Sequence, residues 1–162
     1  MSSKKFLYIN KKFFLTYRVL FDIITVYKRK GVDFMGKVAN IIYTLKHKKA
    51  FLQTEKKILG SNTIYGLLHD LDKLWLYLWY DKETTSDIHR RRNKHHVDYW
   101  KGRKIPLRWK IQMLIDWESS SLTKPDKPLN AHETLRKYYP KMEKDFHSAL
   151  IITGLANWSD VV

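Results

Sequence analysis

Residues 67–74 read Leu67-Leu68-His69-Asp70-Leu71-Asp72-Lys73-Leu74, an apolar run that carries a histidine and an aspartate side by side. Apolar residues at helical spacing on both sides of the pair predict one largely buried helix over about 63–80. Burying an imidazole next to a carboxylate costs free energy unless something compensates, and a bound cation does so well. An ordinary buried His–Asp hydrogen bond is the alternative. Lys73 follows His69 by four residues on the same helical face, where it could hold an anion beside the cation.

Further candidate metal ligands stand on both sides of this pair. Five of the seven histidines fall between positions 47 and 96, and His47 is the first of them. Asp116 lies in the apolar stretch Met113–Trp117, where a lone acid needs a partner and a metal ion is the best available. The chain has no cysteine, so His, Asp, Glu or water must hold any metal. Divalent Mn, Fe, Co, Ni and Zn all accept such ligands, and the sequence does not choose among them.

A second cluster of histidines follows the pair, and it raises the question of one metal ion or two. If residues 89–96 are helical, His89, Asn93 and His96 share one face and His95 points away. The histidines would then supply ligands for a second ion, with Asp70 as the bridge. The alternative is that His95 and His96 support the site or contact substrate without binding metal.

Positive charge is abundant around these motifs. The chain carries 31 Lys and Arg against 16 Asp and Glu, a net charge of +15, which favours anionic partners such as nucleotides or nucleic acid. A solvated, lysine-rich surface without a partner is the other interpretation. Arg90 and Arg92 could clamp phosphate oxygens bidentately, with Asn93 as a further substrate contact. Three consecutive arginines cannot all face one pocket, so at most two do so.

The length of 162 residues and the hydrophobic fraction of 44% predict a single all-α domain, a compact bundle of about five to seven helices. We predict a basic N-terminal accessory helix within 1–31, a metal-site core over 33–120 and a C-terminal helix over 130–154. The periodicity places helices at about 4–30, 33–59, 63–80, 106–119 and 130–153, with loops at 81–88 and 119–129.

His47, His69-Asp70 and Asp116 stand in the order that defines the HD-domain superfamily, which the chain therefore resembles. It is more closely similar to an uncharacterised HD-like family of bacteria and phages. The shared pattern is His-Lys-Lys at 47–49, Leu-His-Asp-Leu-x-Lys at 68–73, His-x-x-x-Asn-x-His-His-x-x-Tyr-Trp at 89–100 and Met-x-x-Asp-Trp at 113–117. In that family the residue before the lysine is usually small. Here it is Asp72, which adds negative charge near the pocket and weakens the case for Lys73 as a phosphate ligand.

The resemblance implies a metal-dependent phosphohydrolase that acts on a nucleotide or another small phosphorylated metabolite through metal-activated water. Asp70 and Lys73 would be the catalytic residues. One alternative is a di-iron oxygenase of HD type, which the additional histidines would allow. Another is a non-catalytic, basic phage or viral accessory protein that binds nucleic acid or a host protein.

No secretory signal or membrane-spanning segment is predicted. The densest apolar stretch, Phe13–Tyr27, is only 15 residues long and contains Arg18 and Asp22, whereas a spanning helix needs roughly 20 apolar residues. We expect a cytoplasmic protein, or one of the host cytoplasm or virion if it is viral. The N-terminal helix could also mediate oligomerisation.

Overall fold

The structure, a computed structural model, describes residues 34–124 and 129–156. All regular secondary structure in these ranges is helical, which confirms the predicted all-α class. Seven of the α-helices span five residues or more, within the predicted number. The helices are α1 (Phe34–Leu59), α2 (Ile64–Leu68), α3 (Leu71–Trp79), α4 (Lys82–Arg92), the single turn α5 (Val97–Trp100), α6 (Leu107–Ser121), α7 (Ala131–Tyr138) and α8 (Glu143–Thr153).

The chain divides into two units, Met1–Ala39 and Asn40–Val162, with the boundary inside α1. Of the first unit only residues 34–39 are described, so the predicted helix over 4–30 and the accessory segment 1–31 lie outside the described residues. The predicted single domain stays a prediction. All of the chemistry discussed below belongs to the second unit.

The core of the second unit forms where α6 packs against α7 and α8. Residues 112–117 of α6 are all buried, and this run places Asp116 among large apolar side chains. Tight packing around a helix fixes the position of each of its side chains. The core cluster consists of Ile105, Trp109, Met113, Leu114, Trp117, Ala131, Leu135, Phe146, Ala149 and Leu150.

Glu55, a fully buried acid on α1, fixes the start of α2. Its carboxylate accepts hydrogen bonds from the backbone N–H and the hydroxyl of Thr63, at 3.1 and 2.7 Å, and from the Gln112 amide at 2.9 Å. Thr63 in turn caps α2 by accepting from the backbone N–H of Gly66 at 3.1 Å. The buried carboxylate therefore ties α1, α2 and α6 together directly in front of the His-Asp pair.

Gly66→Ala is expected to destabilise the protein, because a Cβ at position 66 would lie 1.9 Å from Glu55 Oε2. The clash should cost about 1–3 kcal/mol, which exceeds the ~1 kcal/mol that alanine gains over glycine in a helix. Urea unfolding measures the change. The control is Leu67→Ala, whose exposed side chain should cost little; equal stability of the two variants would contradict the contact.

The predicted continuous helix over 63–80 is wrong, because the chain breaks at the His-Asp pair. Asp70 adopts the left-handed region with φ of 59°, which aspartate tolerates better than most residues. His69 and Asp70 are buried, but the neighbouring Leu67 and Leu68 are about half exposed. The predicted burial of the leucine run is thus wrong as well. The break turns both polar side chains inward, whereas adjacent residues of a straight helix point about 100° apart.

Two further element predictions also need correction. Residues 81–88 are not a loop: Asp81 accepts from the Thr84 N–H at 2.8 Å, caps α4 and starts a helix that runs to Arg92. The final helix is divided into α7 and α8 by a 3₁₀ turn at Pro140–Met142, because proline cannot donate a helical hydrogen bond. The predictions over 33–59 and 106–119 are confirmed by α1 and α6.

None of the described helices is both long and apolar enough to cross a bilayer.

Candidate metal centre

Five different segments contribute to one buried cluster of histidine and aspartate side chains. α1 supplies one histidine, the break between α2 and α3 supplies the His-Asp pair, α4 supplies another histidine, the segment after α4 supplies two more, and α6 supplies an aspartate. The cluster consists of His47, His69, Asp70, His89, His95, His96 and Asp116. The structure thus brings all seven predicted metal ligands together.

Four of these side chains form a first group around Asp116. Its Oδ1 lies 2.8 Å from His47 Nε2 and 3.4 Å from His69 Nε2. The two imidazole nitrogens are 3.5 Å apart, and His69 Nε2 lies 3.6 Å from Asp70 Oδ1. One atom each of His47, His69 and Asp70 falls within a single 4.8 Å range, which is compatible with ligation of one ion.

A second group comprises Asp70, His89, His95 and His96, whose ligand atoms also lie within 4.8 Å of one another. Asp70 Oδ1 is 2.9 Å from His89 Nε2 and 3.5 Å from His95 Nε2. Asp70 belongs to both groups. His95 does not point away as predicted, because α4 ends at Arg92 and the following residues turn back toward the cluster.

Four buried ligand atoms of the second group have no hydrogen-bond partner: Asp70 Oδ1 and the Nε2 atoms of His89, His95 and His96. The short contact between Asp70 and His89 lacks hydrogen-bond geometry. Buried polar atoms without partners are rare because each costs about 1–3 kcal/mol. Four of them converging on one point fit the donor set of a transition-metal cation.

The two aspartates are held in the ionised form that metal binding needs. Burial alone would raise both pKa values. His69 and Lys73 outweigh it at Asp70, and hydrogen bonds from His47 and His69 outweigh it at Asp116, so both pKa values lie well below the ordinary range.

The histidines of the second group differ in their protonation. Burial lowers the pKa of His95. Burial and the neighbouring His95 ring together lower the pKa of His96 well below its ordinary value. Both rings are therefore neutral at pH 7 and offer a lone pair. Burial acts the same way at His89, but the neighbouring carboxylates of Asp70 and Asp72 outweigh it and raise the pKa of His89. A cation would have to compete with a proton there.

Several residues to which the sequence analysis assigned no role hold the cluster in place. Phe51 stacks on the His69 ring with centroids 3.8 Å apart and an interplanar angle of 15°. Tyr43 lies parallel to His47 at 6.3 Å, and Thr123 Oγ1 is 3.5 Å from His47 Nδ1. Lys48 Nζ donates to the backbone carbonyls of Gly66, Leu67 and His69, which closes the end of α2. Lys48 directly follows His47, and Phe51 lies one helical turn after it. This proximity to a candidate ligand was the signal that could have identified both residues from the sequence.

Lys48→Met is expected to destabilise the protein by about 1–3 kcal/mol, because charged hydrogen bonds to the three carbonyls are lost. It should also weaken metal binding, since the His69 backbone loses its anchor. Thermal unfolding and a metal titration measure the two effects. Lys49→Met, at the exposed neighbouring position, is the matched control, and an equal effect of both changes would contradict the role given to Lys48.

The predicted substrate contacts do not all lie at the cluster. Lys73 Nζ lies 2.7 Å from Asp70 Oδ2, at the edge of the cluster. Arg90, by contrast, is exposed and pairs with Asp98 at 3.4 Å. The Asn93 amide donates to Asp72 at 2.7 Å and to the His89 carbonyl at 3.0 Å, so its nitrogen is engaged within the protein.

A cavity of about 280 Å³ adjoins the cluster at His69 and His95. Of the three consecutive arginines, Arg92 lines it, whereas Arg91 pairs with Asp87 on the same helix. The remaining lining includes a cation, two aromatic rings and two amides: Lys94, Tyr65, Trp109, Asn93 and Gln112. The cavity therefore combines positive charge, aromatic surface and direct access to two of the candidate ligands.

The chain matches no protein-family model, no curated protein and no solved structure. What the described residues establish is a helical protein whose buried His/Asp groups could hold a metal ion.

Proposed function

We propose that the chain is a metal-dependent phosphohydrolase with a two-ion centre of HD type, acting on a nucleotide or another small phosphorylated metabolite. The observation that carries this proposal is the second ligand group, in which four buried donor atoms converge without hydrogen-bond partners. Such an arrangement is costly for the folded chain unless a cation occupies it.

The protonation of the cluster also favours metal binding. Ionised Asp70 and Asp116 supply negative charge, and neutral His95 and His96 supply nitrogen lone pairs, which is the state that divalent transition metals require. A bound divalent ion would supply a water of lowered pKa and would polarise a phosphoryl oxygen.

The surroundings of the cluster favour an anionic substrate. Lys73 brings an ammonium group to its edge, and Arg92 and Lys94 line the adjoining cavity. Guanidinium and ammonium groups neutralise the charge of phosphoryl oxygens, and the net charge of +15 would attract phosphorylated molecules. Tyr65 and Trp109 offer aromatic surface to an organic group attached to the phosphate.

The test is hydrolysis of a substrate panel by purified protein supplied in turn with Mn²⁺, Fe²⁺, Co²⁺, Ni²⁺ and Zn²⁺. The panel contains p-nitrophenyl phosphate, its bis ester, and nucleoside mono-, di- and triphosphates. Metal-dependent turnover supports the proposal. Consumption of O₂ by the iron form without hydrolysis would favour the di-iron oxygenase, and metal binding with no turnover at all would favour the accessory protein.

Arg92→Ala is expected to raise the KM of the hydrolysed substrate by about 10–100-fold, because a charge-assisted hydrogen bond worth ~1.5–3 kcal/mol is lost. Arg91→Ala is the matched control, since Arg91 pairs with Asp87 away from the cavity lining. Steady-state kinetics of both variants measure the difference. A KM that both variants leave unchanged would contradict the placement of substrate in this cavity.

A further inference from the structure

Asp72 makes close contacts with one candidate metal ligand. Both of its carboxylate oxygens lie 2.9 Å from His89 Nδ1, and Oδ2 also accepts a hydrogen bond from the Asn93 amide at 2.7 Å. His89 is fully buried, and its other nitrogen, Nε2, faces Asp70 at 2.9 Å. The imidazole thus has one nitrogen directed at the cluster and the other held by a carboxylate.

Asp72 is expected to add negative charge near the pocket, and its carboxylate contacts the cluster at His89. Lys73 pairs with Asp70, whereas the Asp72 carboxylate is directed at His89 and Asn93, which belong to α4 and its end. Its acidic side chain has a partner that a small residue at this position could not have.

We propose that Asp72 is a positioning residue that orients His89 and strengthens it as a ligand of the second ion; this rests on the proposed metal centre. A carboxylate that accepts the Nδ1–H of a histidine fixes the tautomer with a free lone pair on Nε2 and makes that nitrogen more electron-rich. The side-chain amide of Asn93 donates a hydrogen bond to the same carboxylate. Among the described residues, Asp72 is hydrogen-bonded to His89 and Asn93 and not to His47, His69 or Asp116, the other part of the cluster.

Among the candidate ligands, Asp72 is hydrogen-bonded to His89. Loss of the Asp72 carboxylate should therefore weaken the binding of the second metal ion and not that of the first. Such supporting partners are worth about 10–100-fold in metal affinity. Asp72→Ala should weaken the second Co²⁺ by that factor and leave the first unchanged. Asp72→Asn keeps an acceptor for the Nδ1–H but removes the charge, so its loss should be smaller.

The experiment is a Co²⁺ titration of the full chain. Calorimetry measures the number of bound ions and the affinity of each, and visible absorption reports the ligand field of each ion. Asp87→Ala is the control, because it removes a carboxylate from the same helix as His89 but one that pairs with Arg91 on the surface. It should bind both ions as the unmodified protein does, and Asp72→Asn should recover part of the affinity lost in Asp72→Ala.

Two results would overturn the inference while leaving the metal centre intact. One is an Asp72→Ala protein that binds both ions with unchanged affinity and spectrum. The other is an equal weakening of both steps together with a lowered Tm, which would mean a general structural role. If the unmodified protein binds no Co²⁺, the proposed function itself fails and the inference fails with it; if it binds one ion, the second-ion role is excluded.

Discussion

Asp70→Asn is expected to abolish phosphohydrolysis while leaving the fold intact. Asp70 is the one residue shared by both ligand groups, and Asn offers a weaker, uncharged oxygen in its place. Loss of a bridging carboxylate should lower activity by a factor of about 10³ or more, in line with removal of a main source of transition-state stabilisation. The backbone at position 70 is left-handed, and asparagine tolerates that conformation as aspartate does.

Circular dichroism and metal-dependent turnover measure the two halves of this expectation. Asp145→Asn, at an exposed position on α8, is the control and should retain full activity. An Asp70→Asn protein that folds and hydrolyses at the normal rate would contradict the bridging role. If Asp70→Asn fails to fold, Asp116→Asn is the second variant, because that carboxylate contacts His47 and His69 of the first group and should also lower metal-dependent turnover.

The second large effect is a loss of stability and of bound metal on acidification. The folded-state pKa values of His95 and His96 are lowered, so their contribution is complete above the ordinary pKa of 6.5 and is lost as the pH falls below it. Asp70 and Asp116 also have lowered pKa values, and their contribution is lost at lower pH, below 3.8. The raised pKa of His89 acts in the opposite sense and partly offsets the first step.

Protons and metal ions compete for the same lone pairs, so metal should be released between about pH 6 and pH 4. Thermal unfolding of the metal-free protein at pH 7.0, 5.5 and 4.0 measures the stability change, and dialysis at each pH measures retained metal. His96→Ala should flatten the decline between pH 7.0 and 5.5. His147→Ala, at an exposed position on α8, should not change it. A Tm that is constant from pH 7.0 to 4.0 would contradict the assigned protonation states.

Much of the candidate site could be predicted, because the residues that could bind a metal stand out within short stretches of sequence. A histidine and an aspartate inside an apolar run, and an acid within Met113–Trp117, signal that their burial needs compensation. The resemblance of the order His47, His69-Asp70 and Asp116 to that of the HD-domain superfamily then implied that one ion joins them. Their convergence in the structure needs only that helices α1 and α6, both foreseen from periodicity, pack around the pair.

The break at the pair could not be read from the apolar periodicity. Leucines on both sides of His69 and Asp70 continue the helical pattern through it, and nothing in their spacing marks the left-handed residue. What decides the backbone there is tertiary: Lys48 takes the carbonyls at the end of α2, and Glu55 holds the start of that helix. Neither contact follows from the local sequence of α1.

The helical state of 81–88 and the direction of His95 were missed for a related reason. The segment is polar, and a polar stretch without an apolar stripe is usually interpreted as a loop. Its helix depends on the Asp81 cap and on contacts of its buried face, including Thr85 and His89, with the rest of the protein. Once α4 ends at Arg92, helical spacing no longer applies to His95, and the chain can return it to the cluster.

The central claim, a two-ion centre bridged by Asp70, is tested most directly by elemental analysis of the purified protein beside His96→Ala. We expect about two transition-metal ions per chain in the unmodified protein and about one in the variant, because His96 belongs only to the second ligand group. Absence of metal from the unmodified protein, even after Mn²⁺ or Fe²⁺ is supplied, would contradict the account.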